Sequence, residues 1–548
     1  METVSVKTSA IPRQRVSPSA RALILAFAIT LFLVFCVLPV VYMFAVSLTE
    51  GTTGSFTLSN YRQLLTETRQ RGLLLTSILL GGGVAIFATI LGAPLGLLLA
   101  RSDLAATRLL RIALVVPLVI PPYVMALAWV LLTGPVGLFA RMAGRDLLSD
   151  WTYSLTGTIA VLGLTFYPLS MLATEAAARR VESRLEEAAM LVTRRRDVLW
   201  HITLPLIGPS VVAAGLIIFV LAISDFGVPA LLHIRVFTTE VFTAFGAFYD
   251  FGAGVALCAP LLALALIVSL AIKFIIGERL LVTTRSVRLG LPLTFGRPLR
   301  TAIVICIAAV IVASTLLPLA ALLFETRGVT RIASAASTSG DAIVNSLWLA
   351  FSGATFIVAL AVVLGYGRAR ARSRVRTFLD PGFILLFAVP STVVGVGIIG
   401  LWNRHGAMGQ IYSSQWIIVI AYIARFVPVA VLMLAASVRQ ISTSSEEAAE
   451  LAGASWTGTF GGIVLPQLRS GLAATWVVSF IFCFGELGAT ILVTPPGEST
   501  LPVRVYTLIA NTPSSEMASL ALLQVGITLI PLALLSVFLR KKGARKLA

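Results

Sequence analysis

Long apolar runs alternate along the chain with short polar breaks, and the breaks carry most of the arginines. A helix needs about 20 residues to cross roughly 30 Å of hydrocarbon. Runs that meet this length lie near 22–47, 73–100, 109–133, 156–177, 208–228 and 254–276. After a polar stretch they resume near 300–324, 343–367, 379–402, 414–437, 468–494 and 515–539. The pattern predicts an all-α polytopic membrane protein of about twelve transmembrane helices, because a spanning β-barrel would show short alternating segments instead. Lys7, Arg13, Arg15 and Arg21 precede the first run in the manner of a secretory signal, but its apolar part outruns a 7–15 residue signal core, so it is read as a span.

Charge then orients the spans. Basic residues gather in alternate breaks: Arg101, Arg108 and Arg111; Arg179, Arg180, Arg184 and Arg194 to Arg196; Arg279, Arg285, Arg288, Arg297 and Arg300; Arg368, Arg370, Arg372, Arg374 and Arg376; and Arg540 to Lys546. The intervening loops are less basic, with Arg62, Arg69, Arg71, Arg141 and Arg145 as exceptions in the first two. Positive residues accumulate in short cytoplasmic loops, so a multi-pass protein of the cell (inner) membrane with both termini on the cytoplasmic side is expected. The segment 279–300 is basic and punctuated by Gly and Pro, and reads as a cytoplasmic linker between a first half, 1–278, and a second, 301–548.

Composition agrees with a membrane protein: 58% of residues are hydrophobic and 12% charged, with a mean hydropathy of +0.96, against about 25% charged in soluble domains. The net charge of +18 is scattered through the breaks rather than laid along one surface with aromatics, which argues against nucleic acid. Cys36, Cys258, Cys306 and Cys483 sit in apolar runs without Cys-x-x-Cys spacing, and His201, His233 and His405 are far apart in sequence, so no metal site is assigned.

The halves repeat one another. Pro168 and Pro428, Ser183 and Thr443, and Glu187 and Glu447 are each 260 residues apart. Pro205 and Pro466, Asp225 and Glu486, and Gly227 and Gly488 are 261 apart, while Ser77 and Ser346, and Arg101 and Arg370, are 269 apart. Six crossings return the chain to its starting side, so the repeat is parallel, about an axis along the membrane normal.

The strongest match lies in two polar loops, about 180–206 and 439–467. Glu186-Glu187-Ala188-Ala189 leads to Ile202-Thr203-Leu204-Pro205, and Glu446-Glu447-Ala448-Ala449 leads through Gly453 to Ile463-Val464-Leu465-Pro466. Ser183 and Thr443 stand three residues before Glu186 and Glu446, a capping-box spacing that predicts a helix start in each loop. Pro205 and Pro466 are expected to end each loop helix and begin the next span. Glu-Ala-Ala, a Gly after three more residues, then Ile-x-Leu-Pro resembles the signature loop of ABC importer permeases of the type I fold. The second loop carries the whole signature; the first lacks the Gly and is one residue shorter.

That resemblance implies that each loop is a coupling helix seated on one of two separate ATP-binding cassette subunits, with docking strength expected to differ between the loops. The five lysines are Lys7, Lys273, Lys541, Lys542 and Lys546, none after a glycine, so a Gly-Lys-Ser/Thr phosphate loop is absent. This chain is therefore expected to be a transport subunit rather than an enzyme and to bind no cofactor, with ATP and Mg on the ATPase partner. Ionisable residues in or beside spans mark a possible route: Asp225 with Gly227, Glu486 with Gly488, and Arg425 in the tenth span, whose equivalent in the first half is Thr165. The stretches around Asp225 and Glu486 are similar to the ferric-iron importer group, which implies an external (periplasmic) solute-binding protein. Thiamine, phosphonate and polyamine permeases of the same class, and an ion-coupled secondary carrier, remain alternatives.

Overall fold

The computed structural model describes residues 19–49, 55–58, 61–62, 66–102, 107–246, 251–276, 295–509 and 512–544. The linker 279–294 and the terminal arginines and lysines beyond 544 lie outside the described residues. Among the described residues, eleven helices, counting Pro122–Ala143 as one, are long and apolar enough to cross a bilayer, and a bent pair raises the number to twelve when counted as one span. The first half contributes α1 (Ala20–Ser47), α2 (Thr68–Arg101), α3 (Thr107–Val119), α4 (Pro122–Thr133), α5 (Leu138–Ala143), α6 (Leu155–Ala178), α7 (Ser183–Met190), α8 (Arg195–Ser224) and α9 (Phe251–Ile276). The second half contributes α10 (Arg297–Thr326), α11 (Gly340–Arg370), α12 (Ser373–Ala388), α13 (Ser391–Trp402), α14 (Trp416–Val438), α15 (Thr443–Leu451), α16 (Trp456–Gly485) and α17 (Ser514–Ala544).

Two expectations change. The run 109–133 is not one straight helix but α3 and α4, parted at Ile120-Pro121, and 379–402 bends by 94° between α12 and α13 at Val389-Pro390. A proline restricts the residue before it to extended backbone, which ends a helix there. Nor do Pro205 and Pro466 end the loop helices, since α8 and α16 run through them. In each helix one widened turn absorbs the proline: the Leu204 N–H reaches Leu199 O, and the Leu465 N–H reaches Phe460 O, five residues back. Proline supplies no N–H and its ring crowds the carbonyl four residues earlier, so a π turn satisfies the carbonyls that a regular turn would strand. The same device precedes Pro39 in α1 and Pro318 in α10.

The tightest packing joins α2 to α6 and α11 to α14. A Cβ on Gly92 or Gly96 would come within 2.3 Å of Tyr167 O or 2.2 Å of Met171 O. Only glycine at this four-residue spacing lets the two backbones approach so closely. In the second half Ala361 and Gly365 hold the corresponding places, and a Cβ on Gly365 would stand 3.1 Å from Ala435 N.

The first helices are exchanged between the halves. α1 packs on α11, α13 and α14 of the second half, with Phe35 stacked on Trp402 at 5.9 Å and Arg404 donating to Tyr42 Oη at 2.9 Å. α10 packs on α3, α4 and α6 of the first half, where Tyr167 Oη and Ser314 Oγ share a hydrogen bond of 3.4 Å and Arg141 pairs with Glu325. Each half is therefore completed by a helix from the other.

Candidate functional site: the paired loops and the central seam

In the first loop, Glu186 and Glu187 are sequence neighbours with opposite fates. Glu186 turns inward, where Arg101 at the end of α2 donates to it at 2.8 Å, and the two side chains are only 4% and 3% exposed. Arg101 also donates to Ala178 O at 2.8 Å, and Thr203 Oγ1 donates to the other carboxylate oxygen of Glu186 at 2.8 Å. Glu187 and Ala188 face outward and Ala189 is half-buried. The second loop repeats the plan. Arg370 at the end of α11 pairs with the buried Glu446 and donates to Ile441 O at 3.1 Å, while Glu447 and Ala448 are exposed and Ala449 is half-buried. The second carboxylate oxygen of Glu446 is held by Tyr366 Oη at 2.8 Å.

This geometry revises the capping box. The second loop helix is capped one residue earlier than expected, by Ser442, whose hydroxyl accepts from Ser444 N at 3.3 Å. The first begins after Glu182 without a side-chain cap, and the Ser183 side chain lies outside the described residues. Glu186 and Glu446 turn toward arginines instead, and a carboxylate buried between helices needs such a paired charge. Nothing in the local pattern of the loops announced Arg101 and Arg370 as their anchors. Their matched offset was legible, but their charge read as topology.

The loops end differently. In the second, Gly453 adopts φ +86°, so that its N–H bonds Glu450 O at 3.0 Å and the Ala454 N–H bonds Ala449 O at 3.0 Å. This pair is a Schellman close, which needs a left-handed residue and favours glycine. The first loop closes with Thr193 N on Ala189 O at 2.9 Å instead, which accounts for both the missing Gly and the missing residue. Beyond Gly453, Trp456 stacks on Phe460 at 5.2 Å and Tyr366 meets Phe460 edge-on at 5.1 Å. The matching first-half positions are Arg195, Leu199 and Leu97. Ile202, Leu204, Ile463 and Pro466 are half-buried along the π turns, whereas Pro205 and Leu465 are exposed.

At the centre, the two halves meet where α8 and α16 end. Asp225 Oδ1 accepts from Val228 N at 2.8 Å, and Glu486 accepts from Ala489 N at 2.9 Å and Thr490 N at 2.8 Å. Both carboxylates thus hold the next short helix, a use that the sequence left open beside a pathway role. Gly227 and Gly488 lie on the seam itself: a Cβ on Gly227 would stand 3.3 Å from Leu487 Cδ2 of the second half, and one on Gly488 would stand 3.5 Å from Phe226 Cβ of the first. Arg425 donates to Val389 O at 3.5 Å, at the break between α12 and α13. It forms no ion pair within 4 Å with Asp225 or Glu486 among the described residues. No group of three or more His, Cys, Asp or Glu positioned for a metal occurs among the described residues.

The family described as the inner membrane component of binding-protein-dependent transport systems matches twice, over residues 92–282 and 357–547. The chain belongs to that family. This transport component is thus a multi-pass membrane protein and a permease subunit, built as two fused copies. It is 27% identical to the Fe(3+)-transport system permease protein FbpB 2 of Haemophilus influenzae, over 95% of this chain and 99% of that protein. It is 25% identical to the ferric transport system permease protein FbpB of Actinobacillus pleuropneumoniae, over 84% and 70%. A putative 2-aminoethylphosphonate transport system permease protein of Salmonella paratyphi A is 27% identical but spans 37% of the transport component.

Proposed function

We propose that this chain is the permease of an ATP-driven importer for ferric iron, with its paired loops on the cytoplasmic side of the inner membrane and each loop seated on one of two ATPase subunits. The observation that carries the reading is the double anchoring of the loops. Each is tied to the end of a long span through a buried arginine and glutamate, so a push on the exposed Glu187–Ala188 or Glu447–Ala448 face moves α2 or α11 as a rigid lever. ATP and Mg belong to the partner subunits, and a solute-binding protein delivers cargo to the opposite face. Iron is favoured over phosphonate because the ferric relatives align along nearly the whole chain, whereas the phosphonate relative covers one stretch of it.

Alternating access then follows from the central seam. Asp225, Glu486 and Arg425, with the broken helices α3–α4 and α12–α13, close the route while the loops are apart. Clamping by the ATPases pulls α2 and α11 and opens it. The test is reconstitution of this chain with its ATPase pair and binding protein in proteoliposomes, with radiolabelled ferric iron outside and ATP inside. ATP-dependent iron accumulation is expected. Accumulation driven by an ion gradient without ATPase would favour a secondary carrier, and uptake of a phosphonate but not iron would move the cargo to the second reading.

A further inference from the structure

The two halves treat one charged cluster in opposite ways. In the first, Glu175 on α6 is buried between two arginines: Arg111 of α3 donates through Nε at 3.0 Å, and Arg179, one turn after Glu175, donates through Nε at 3.0 Å. The cluster is closed by its own carboxylate. In the second half Arg179 is repeated as Arg439, but Glu175 is replaced by Ala435 and Arg111 by Asp380. The carboxylate has moved from α14 to α12, where it pairs with Arg368 at 2.7 Å. Arg439 has lost its partner one turn back. Its Nε is buried without a hydrogen bond, and it enters no ion pair within 4 Å among the described residues. Burial, then Arg368 and Arg376, push its pKa below the ordinary arginine value, and Asp380 only partly offsets them.

Three arginines therefore surround one carboxylate where α11, α12 and α14 leave the apolar layer. A buried guanidinium N–H with no acceptor costs free energy, and an anion supplied from outside the chain relieves it. Phosphate-bearing lipid head groups are anionic and abundant at the membrane surface, and basic pockets between transmembrane helices at the cytoplasmic interface bind them. We propose that Arg368, Arg376 and Arg439 form a binding site for the phosphodiester head group of an anionic lipid, present in the second half and filled in the first by Glu175.

The test uses the full chain with its ATPase pair, purified in a mild detergent with added phosphatidylglycerol, counting retained lipid by native mass spectrometry. Arg439→Gln is expected to lower retained phosphatidylglycerol about fivefold, on the scale of one arginine near an anionic surface, with no change for phosphatidylcholine. Ala435→Glu, which restores the first-half arrangement, is expected to do the same; because Ala435 is tightly packed, Arg376→Gln serves as a second partial loss that leaves the core untouched. Arg179→Gln, in the closed cluster, should leave lipid retention unchanged. Equal retention in Arg439→Gln and the parent would overturn the proposal. So would competition by millimolar inorganic phosphate without any lipid preference, which would assign the site to a free ion. Loss of ATPase subunits from Arg439→Gln with lipid unchanged would also overturn it, making the cluster a protein contact.

Discussion

The two loops solve the same mechanical problem with different chemistry. Both bury one glutamate against the arginine that ends α2 or α11, yet the carboxylate's second oxygen is held by Thr203 from the following helix, α8, in the first half and by Tyr366 of α11 in the second. The second loop is longer by a residue, closed through Gly453 and backed by Trp456 and Phe460. The first is closed by a tight turn, and both loops leave the matching leucine exposed, Leu191 at 86% and Leu451 at 90%. A duplicated unit can thus keep its anchor while its support drifts, because the anchor is a buried charge and the support is only packing. The contrast predicts two levers of unequal stiffness.

The largest effect should come from the shared anchor. Glu446→Ala or Glu186→Ala leaves a buried arginine without its counter-charge, and removing one partner of such a pair costs about 3–5 kcal/mol. Thermal unfolding of the solubilised permease should show both losses; a small change in either would remove its anchoring role. Next come the halves' separate supports. Tyr366→Phe and Thr203→Val each delete one hydrogen bond to a carboxylate, worth about 1.5–3 kcal/mol. Each should destabilise its own loop, read by hydrogen exchange of that loop's amides, and a loss that spreads equally to both would break the comparison.

Reversing the exposed charge tests docking rather than folding. Glu447→Arg should weaken ATPase association about tenfold, or 1.4 kcal/mol, and Glu187→Arg by less, with thermal stability unchanged in both. Equal losses would make the loops equivalent. The smallest effect is expected at the turn: Gly453→Ala forces a side chain into left-handed backbone at about 1 kcal/mol, and should fray the second loop alone.

Much of this was legible before any coordinates. Apolar runs located the membrane helices, though they read the broken stretches 109–133 and 379–402 as straight spans, and matched offsets found the duplication, both loops and the carboxylates at Asp225 and Glu486. Local signals misled where two structures compete for the same residue. Ser183 and Thr443 stood at capping-box spacing, yet Glu186 and Glu446 went to arginines some 80 residues away in sequence, at separations of 85 and 76. Pro205 and Pro466 signalled breaks, yet a widened turn carries each helix through. Gly92 and Gly96 passed unnoticed, since their role depends on how close α6 comes.

Order along the chain set what lipid and helix geometry demand locally: the number of crossings, the repeat, and which residues are polar enough to need a partner. It left open who those partners are. The exchange of α1 and α10 between halves, the outward turn of Glu187 beside the inward turn of Glu186, and the open cluster at Arg439 depend on which helices lie side by side. Buried charges are satisfied through space rather than through sequence, and only the folded bundle brings their partners within reach.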